Sequence, residues 1–314
     1  AEQPRLADLA AALHLVGRLG KSGASSAGAS GAGPTSSLLE DPRWQTLTQQ
    51  AGCRLSELRP SALVAVAWSL ARVRGGAPGA LESACVAAAA PALRLGTRDL
   101  GRVAWACAAA LCQDAVGSVQ RTAWKALAAP SAGASSGPME LCQLAWAAAR
   151  VVLRDEELCG RLAASAVRQL GAFDSWHISS FMWASAPTSS CEAPFLECMA
   201  ATCAGRVADF RPQELANTPW AIAVASCTTV RAPITQLLAE LSREVLWRRG
   251  ELEGQHLANS LWASVRAGRR DVPLFEALAT EAPARTSQLT PEHLAPVMWA
   301  CAAFGGSTPG QTCK

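Results

Sequence analysis

Residues 257–265 read LANSLWASV, and this pattern of a leucine, small residues and a tryptophan recurs along most of the 314-residue chain. The recurring tryptophans are Trp68, Trp105, Trp146, Trp183, Trp220, Trp262 and Trp299. They are separated by 37, 41, 37, 37, 42 and 37 residues, and each has a leucine or isoleucine five residues before it. Alanine directly follows six of the seven. A spacing this regular indicates tandem copies of one structural unit.

Each copy is expected to begin a helix eight residues before its tryptophan. Proline favours the first turn of a helix, whereas threonine, serine and glycine favour its cap. The residues at this position are Pro60, Thr97, Pro138, Ser175, Pro212, Gly254 and Pro291. A second apolar segment begins about twelve residues after each tryptophan, as in PLFEALA at 273–279. The sequence therefore predicts an all-α protein, an α-solenoid of about eight helix–turn–helix repeats of about 37 residues.

We expect one helical-repeat domain over residues 1–314, with a degenerate first repeat in which Ala11 stands in the place of the tryptophan. The expected segments are a first helix within 1–20, a flexible Gly/Ser/Ala-rich insertion at 21–37, regular repeats over 38–304 and a tail at 305–314. A second loop is expected at 130–137, because glycine and serine there bury too little apolar area to offset their conformational entropy. The last repeat has only its first helix, which indicates either a truncated chain or a partner that covers that end.

The composition excludes several classes of protein. Half of the residues are hydrophobic and 17% are charged, which suits a large core and excludes a disordered chain. The most apolar run, residues 84–93, is far shorter than the ~20 residues needed to cross a bilayer, so we expect no membrane insertion. The net charge of +3 neither requires nor excludes nucleic-acid binding. Nearly all basic residues are arginine, a better phosphate ligand than lysine, although a GC-rich codon bias produces the same excess.

Signatures of catalysis are missing from the sequence. It contains no H-E-x-x-H, P-loop, G-x-S-x-G or dinucleotide-binding fingerprint. His177, His256 and His293 all stand six residues before a repeat tryptophan, so we expect them to cap helices rather than to act as catalysts. The 12 cysteines form no C-x-x-C pair, which favours buried thiols over a metal site or disulfides. We therefore expect no enzyme, no catalytic residue, no metal and no cofactor.

The seven repeat tryptophans have two interpretations. An alanine-flanked tryptophan at helical spacing is typical of a core position between layers, and this is the role we expect. The alternative is a platform for nucleobases, because an indole ring stacks on their faces. Trp176 and Trp247 lie outside the repeat position and are better candidates for surface contact.

A candidate binding surface comes from two further positions in each repeat. At 100° per residue, the positions three before and four after the tryptophan lie on nearly the same line of a helix. These two positions vary, whereas the neighbouring leucine and alanine positions barely do. The candidate RNA-binding residues there are Arg72, Arg102, Gln143, Arg150, Ser180, Asn217, Asn259 and Arg266. Such a row would contact bases and phosphates; the alternative is the solvated polar stripe of an amphipathic helix.

The motif L-x-N-x-x-W-A, clearest at residues 215–221 and 257–263, resembles the repeat of the octotricopeptide-repeat family. It also resembles the leucine-rich helical region of FAST-kinase-like and RAP-domain proteins, and the likeness extends from Leu6 to Phe304. The resemblance implies an α-solenoid in mitochondria or chloroplasts that binds single-stranded RNA and acts in transcript stability, processing, splicing or translation. Some members of such families are structural subunits of organellar ribosomes. A scaffold subunit held mainly by protein partners is therefore the alternative function.

Overall fold

The computed structural model describes residues 10–13, 15–16, 39–73, 79–91, 95–112, 136–151, 155–187, 193–225, 232–268 and 271–306, and a few single positions between 115 and 122. Every regular element in these ranges is a helix and none is a strand, which confirms the all-α class. The insertion expected at 21–37 and most of the loop expected at 130–137 lie outside the described residues. The chain divides into two compact units, Ala1–Leu162 and Ala163–Lys314, and the expectation of one domain over 1–314 stays a prediction.

The first unit contains two rows of helices. Its helices with both ends described are α1 (Pro42–Cys53), α2 (Pro60–Val73), α3 (Ala80–Ala89), α4 (Thr97–Ala109) and α5 (Pro138–Arg150). We call α2, α4 and α5 motif helices because each carries a repeat tryptophan. Helix α2 packs on α4 and α4 packs on α5, while α1 packs on α3. Helices α1 and α3 form the second row. Since α3 also contacts α2 and α4, this row lies directly beside the motif helices.

The second unit has the same arrangement, after a helix α6 (Glu156–Arg168) in which the boundary between the units falls. Its motif helices are α7 (Ser175–Ser185), α9 (Pro212–Val224), α11 (Gly254–Arg266) and α13 (Pro291–Gly306). Between them come α8 (Ala193–Cys203), α10 (Ala232–Trp247) and α12 (Val272–Glu281). Each motif helix packs on the next motif helix, and α10 packs on both α8 and α12.

All seven motif helices begin at the residue eight positions before the tryptophan, as the sequence predicts. The capping role expected for two histidines is confirmed. The Nδ1 atom of His256 accepts a hydrogen bond from the backbone N–H of Glu253 at 3.2 Å, and His293 accepts from Thr290 at 3.4 Å. Burial lowers the pKa of His256, and a neutral imidazole leaves Nδ1 free to accept.

Two other motif helices of the second unit use carboxylates at their caps. The Oδ1 atom of Asp174 accepts from the backbone N–H of His177 at 2.8 Å, so here the histidine is the capped residue rather than the cap. In α9 the Oε2 atom of Glu214 accepts from the N–H of Arg211 at 2.9 Å. These bonds satisfy donors that a helix leaves unpaired at its start, and they hold the motif helices in register.

Consecutive motif helices meet through a face of mostly small residues, which we call the trailing face. It consists of the positions four and one before the tryptophan and three after it. In α4 this face is so close to α5 that a Cβ atom on Gly101 would lie 3.3 Å from the Cα atom of Glu140. The trailing-face residues of α2, α4 and α7, all buried, are Val64, Ala67, Ala71, Gly101, Ala104, Ala108, Ser179, Met182 and Ala186.

An arginine fourteen residues before the tryptophan ties repeats of the second unit together. The donor–acceptor pairs are Arg206 to the carbonyl of Phe173 (3.2 Å), Arg248 to that of Phe210 (2.6 Å) and Arg285 to that of Arg249 (3.1 Å). Sequence reasoning missed this position, although the constant interval was a readable signal and Arg54 occupies it in the first unit. Part of the arginine excess therefore serves structure rather than nucleic-acid binding.

The repeat-linking arginines generate a stability prediction. Arg248 contacts the Phe210 carbonyl and also pairs with Glu251 at 2.7 Å and Glu244 at 3.5 Å. Replacing Arg248 by Ala should lower the free energy of unfolding by about 2 kcal/mol, because the change removes charge-assisted hydrogen bonds of a largely buried group. Urea denaturation followed by circular dichroism measures the change. The exposed Arg243 on the same helix is the control: R243A should stay within ~0.5 kcal/mol, and an equal decrease for both variants would contradict the prediction.

Candidate nucleic-acid interface

The eight candidate residues lie on motif helices, and none of their side chains is buried. Arg150 and Arg266 stand in the last turns of α5 and α11 and are exposed. The other six candidates are partly exposed. Because motif helices pack in sequence within each unit, equivalent positions on neighbouring helices follow one another along the unit. Ser180, Asn217 and Asn259 form such a series on α7, α9 and α11.

None of the seven repeat tryptophans is fully buried, and the core role expected for them stays a prediction. Six are partly exposed, and Trp299 is 45% exposed. The reason lies in helical geometry. The positions three before and four after the tryptophan lie within about 60° of it around the helix axis, so the exposed polar stripe includes the tryptophan. The residues that fill the core are instead at the positions two before and one after it, as Phe181 and Ala184 do in α7.

Tryptophans of consecutive repeats are in contact with each other. In the first unit the ring centroids of Trp105 and Trp146 are 5.9 Å apart. In the second unit Trp183, Trp220, Trp262 and Trp299 follow one another with centroid separations of 6.0, 6.2 and 6.1 Å. We call these four rings the tryptophan row. The angles between successive ring planes are 25°, 38° and 42°, so the first two rings are stacked and the later ones are tilted relative to their neighbours.

Two candidate arginines of the first unit lie against an indole ring. The guanidinium carbon of Arg72 is 4.7 Å from the centroid of Trp68, and that of Arg102 is 6.0 Å from it. Both distances suit a cation–π contact. Arg102 also lies 3.9 Å from the carboxylate of Asp99, and burial lowers the pKa of Arg72. These contacts hold both side chains on the protein surface, so Arg150 and Arg266 are the exposed arginines of the candidate set.

The other residues of interest in the described part of the chain are potential metal ligands and cysteines. No three His, Cys, Asp or Glu side chains among these residues are grouped as a metal site. The expectation of buried thiols is only partly met: Cys85, Cys107 and Cys203 are buried, whereas Cys53, Cys198 and Cys301 are exposed. Burial raises the pKa of Cys203 to about 12. A thiol with so high a pKa stays protonated at neutral pH and is a poor nucleophile.

Two comparisons of the sequence with known proteins give no match. A scan against protein-family models finds no matching family, and a search of curated proteins finds no significant match. The resemblance to organellar repeat proteins therefore stays a proposal. Within the described ranges, no helix combines the length and apolarity that a membrane crossing requires.

The ring contacts generate a second stability prediction. Trp220 touches both Trp183 and Trp262, so Trp220→Ala should cost about 2 kcal/mol, less than a fully buried tryptophan, because part of the ring is already solvated. A double-mutant cycle on Trp220 and Trp262 should give a coupling energy of about 1 kcal/mol, measured by urea denaturation. Trp183 and Trp262 are separated in the row by Trp220, so the effects of mutating them on the free energy of unfolding should be additive. Additivity for both pairs would mean that the ring contacts do not stabilise the fold.

Proposed function

We propose that this chain is a non-catalytic helical-repeat protein that binds single-stranded RNA. The observation that carries the proposal is the partly exposed stripe in which six of the seven repeats set an indole ring beside a polar side chain, as Asn217 and Asn259 do beside Trp220 and Trp262. Single-stranded RNA is recognised by stacking of its unpaired bases on aromatic rings and by hydrogen bonds to the base edges. A stripe that repeats these two chemistries from helix to helix suits a linear polymer of bases.

The proposed architecture is an α-solenoid of about eight repeats. In each unit the motif helices pack in chain order with second helices beside them, which is the local arrangement that a solenoid repeats. The resemblance to octotricopeptide-repeat and RAP-type proteins supports a place in the mitochondrial matrix or the chloroplast stroma. It also supports a role in transcript stability, processing, splicing or translation.

Charge supplies a smaller part of the proposed interaction than the sequence alone suggested. Arg150 and Arg266 project from exposed helix ends, where a phosphate can reach them. Arg72 and Arg102 lie against Trp68, and Arg206 and Arg248 bind backbone carbonyls. We therefore expect RNA affinity to depend on salt with a shallow slope, because few phosphates are neutralised.

Mutation of the exposed stripe arginines tests the proposal. Arg150→Ala combined with Arg266→Ala should weaken binding of a short single-stranded RNA and reduce the log–log salt slope by up to ~1.4, since each phosphate that is no longer neutralised accounts for about 0.7. Fluorescence anisotropy at salt concentrations of about 50 and 200 mM measures both quantities. The off-stripe variant R243A is the matched control and should bind as the wild type does. If the wild-type protein and the double variant bind equally weakly at both salts, the stripe is a solvated surface.

The stripe asparagines should contribute to base preference. Amide side chains hydrogen-bond to base edges, whereas arginine mainly anchors phosphates, so Asn217→Ala or Asn259→Ala should change the ranking of oligo(A), oligo(C) and oligo(U) more than the mean affinity. Competition between these homopolymers measures the ranking. A uniform decrease in affinity for all three homopolymers would indicate that the asparagines contact the RNA sugar–phosphate backbone instead.

A structural subunit of a large organellar assembly, such as a ribosome, is the second candidate, and the trailing face of α13 favours it. Its residues Ala295, Met298 and Ala302 are exposed, and Met298 is 70% exposed, whereas the same positions in α2, α4 and α7 are buried. An apolar face of this kind suits a protein contact.

Sedimentation distinguishes the two functions. If the chain is held in an assembly through α13, Met298→Glu should release the tagged protein from the large particle, because it places a charge in an apolar contact. The variant Val86→Glu, which changes another exposed apolar residue, should leave the protein bound to the particle. Release by R150A/R266A but not by M298E would favour RNA as the main partner.

A further inference from the structure

We infer that the tryptophan row of the second unit, formed by Trp183, Trp220, Trp262 and Trp299, is a base-stacking surface, and that this unit holds RNA mainly through its bases. The inference rests on the proposed RNA binding and names the atoms that carry it. Base stacking is the alternative to the core role expected from the sequence, and the rings share a partly exposed stripe with the polar positions.

The pattern of residues around the row supports a neutral, aromatic ligand surface. The stripe positions that flank the four rings are Ser180, Pro187, Asn217, Val224, Asn259, Arg266, Pro296 and Ala303. Arg266 is the one charged residue among them. Phosphate contacts from this stripe are therefore scarce, whereas every repeat supplies an indole ring. A ligand that uses all four repeats must use the rings, and nucleobases have the flat faces that fit them.

The spacing of the rings decides how a base can approach. Carbon atoms in contact are about 3.5–4.0 Å apart, so a base sandwiched between two parallel rings needs a separation of at least ~7 Å. The centroids in the row are 6.0 to 6.2 Å apart, and the rings already touch one another. We therefore expect bases to contact the solvent-exposed part of each ring instead of entering between the rings. This places each base beside the polar position one helical turn away.

The amides of Asn217 and Asn259 then complete a two-part contact. Each lies three residues before its tryptophan and is partly exposed on the same helix face. A base resting on Trp220 or Trp262 would present its edge toward the neighbouring amide, which offers both a donor and an acceptor. Since stacking strength increases with ring area, the row should prefer purines over pyrimidines.

An oligonucleotide without bases tests the inference and leaves the protein unchanged. The full chain is titrated with oligoadenylate of about eight nucleotides, one per expected repeat, and with a ribose–phosphate oligomer of equal length in which every position is abasic. We expect quenching of tryptophan fluorescence by oligoadenylate and at least ~10-fold weaker binding of the abasic oligomer. Equal affinity of the two oligomers would overturn the inference while leaving RNA binding intact. If neither binds, the proposed function itself fails.

Protein variants then locate the contact on the row. Trp262→Leu removes the aromatic face and retains apolar volume, whereas Trp262→Phe retains a smaller ring. Binding of oligoadenylate should fall at least ~5-fold for W262L and recover in part for W262F, with binding of the abasic oligomer unchanged. Trp247 is 79% exposed and lies outside the row, so W247L is the matched control and should bind normally. Melting curves establish that each variant is folded at the titration temperature. Equally weakened binding by W247L and W262L would place the stacking surface elsewhere.

Discussion

The close packing of each motif helix on the next is the constraint on which the rest of the structure depends. It requires small residues on the trailing face, and at Gly101 the neighbouring helix is too near to admit a side chain without movement. Alanine residues such as Ala104 and Ala108 allow the same approach over the length of the helix. A short interhelical distance brings side chains on the outer stripe of adjacent helices into contact. The ~6 Å separation of the tryptophan rings follows from this approach.

The same constraint explains why so many arginines are present in a chain with little net charge. Helices that present alanine to one another have few side chains that can link repeats through polar bonds. The link comes instead from long side chains at the turns, where Arg206 and Arg248 reach backbone carbonyls of the preceding repeat. Arginine suits this position because its planar group donates to a carbonyl and to a carboxylate at once, as Arg248 does with Phe210 and Glu251.

Some features of the candidate site could be predicted from the sequence, and others could not. The polar stripe was predictable because its positions follow from helical periodicity and from the fixed register of the tryptophan. The exposure of the tryptophan was predictable in principle from the same arithmetic, yet its alanine neighbours suggested a packing role. The contact of Arg102 with Trp68 joins side chains of two different helices and has no local sequence pattern, whereas Arg72 lies one helical turn after Trp68 on the same helix. These contacts change which arginines are available to a polyanion.

The sequence by itself determined the helical class, the repeat register and the first residue of every motif helix, because proline, capping residues and periodicity act within a few residues of one another. Only the tertiary structure decided that the tryptophan rings of consecutive repeats in the second unit lie about 6 Å apart in one row. It also decided which arginines bind the protein itself and that Met298 on α13 lies exposed at a position buried in α2, α4 and α7. These outcomes depend on the distance between neighbouring helices, which is set by packing between residues about 37 positions apart in the chain.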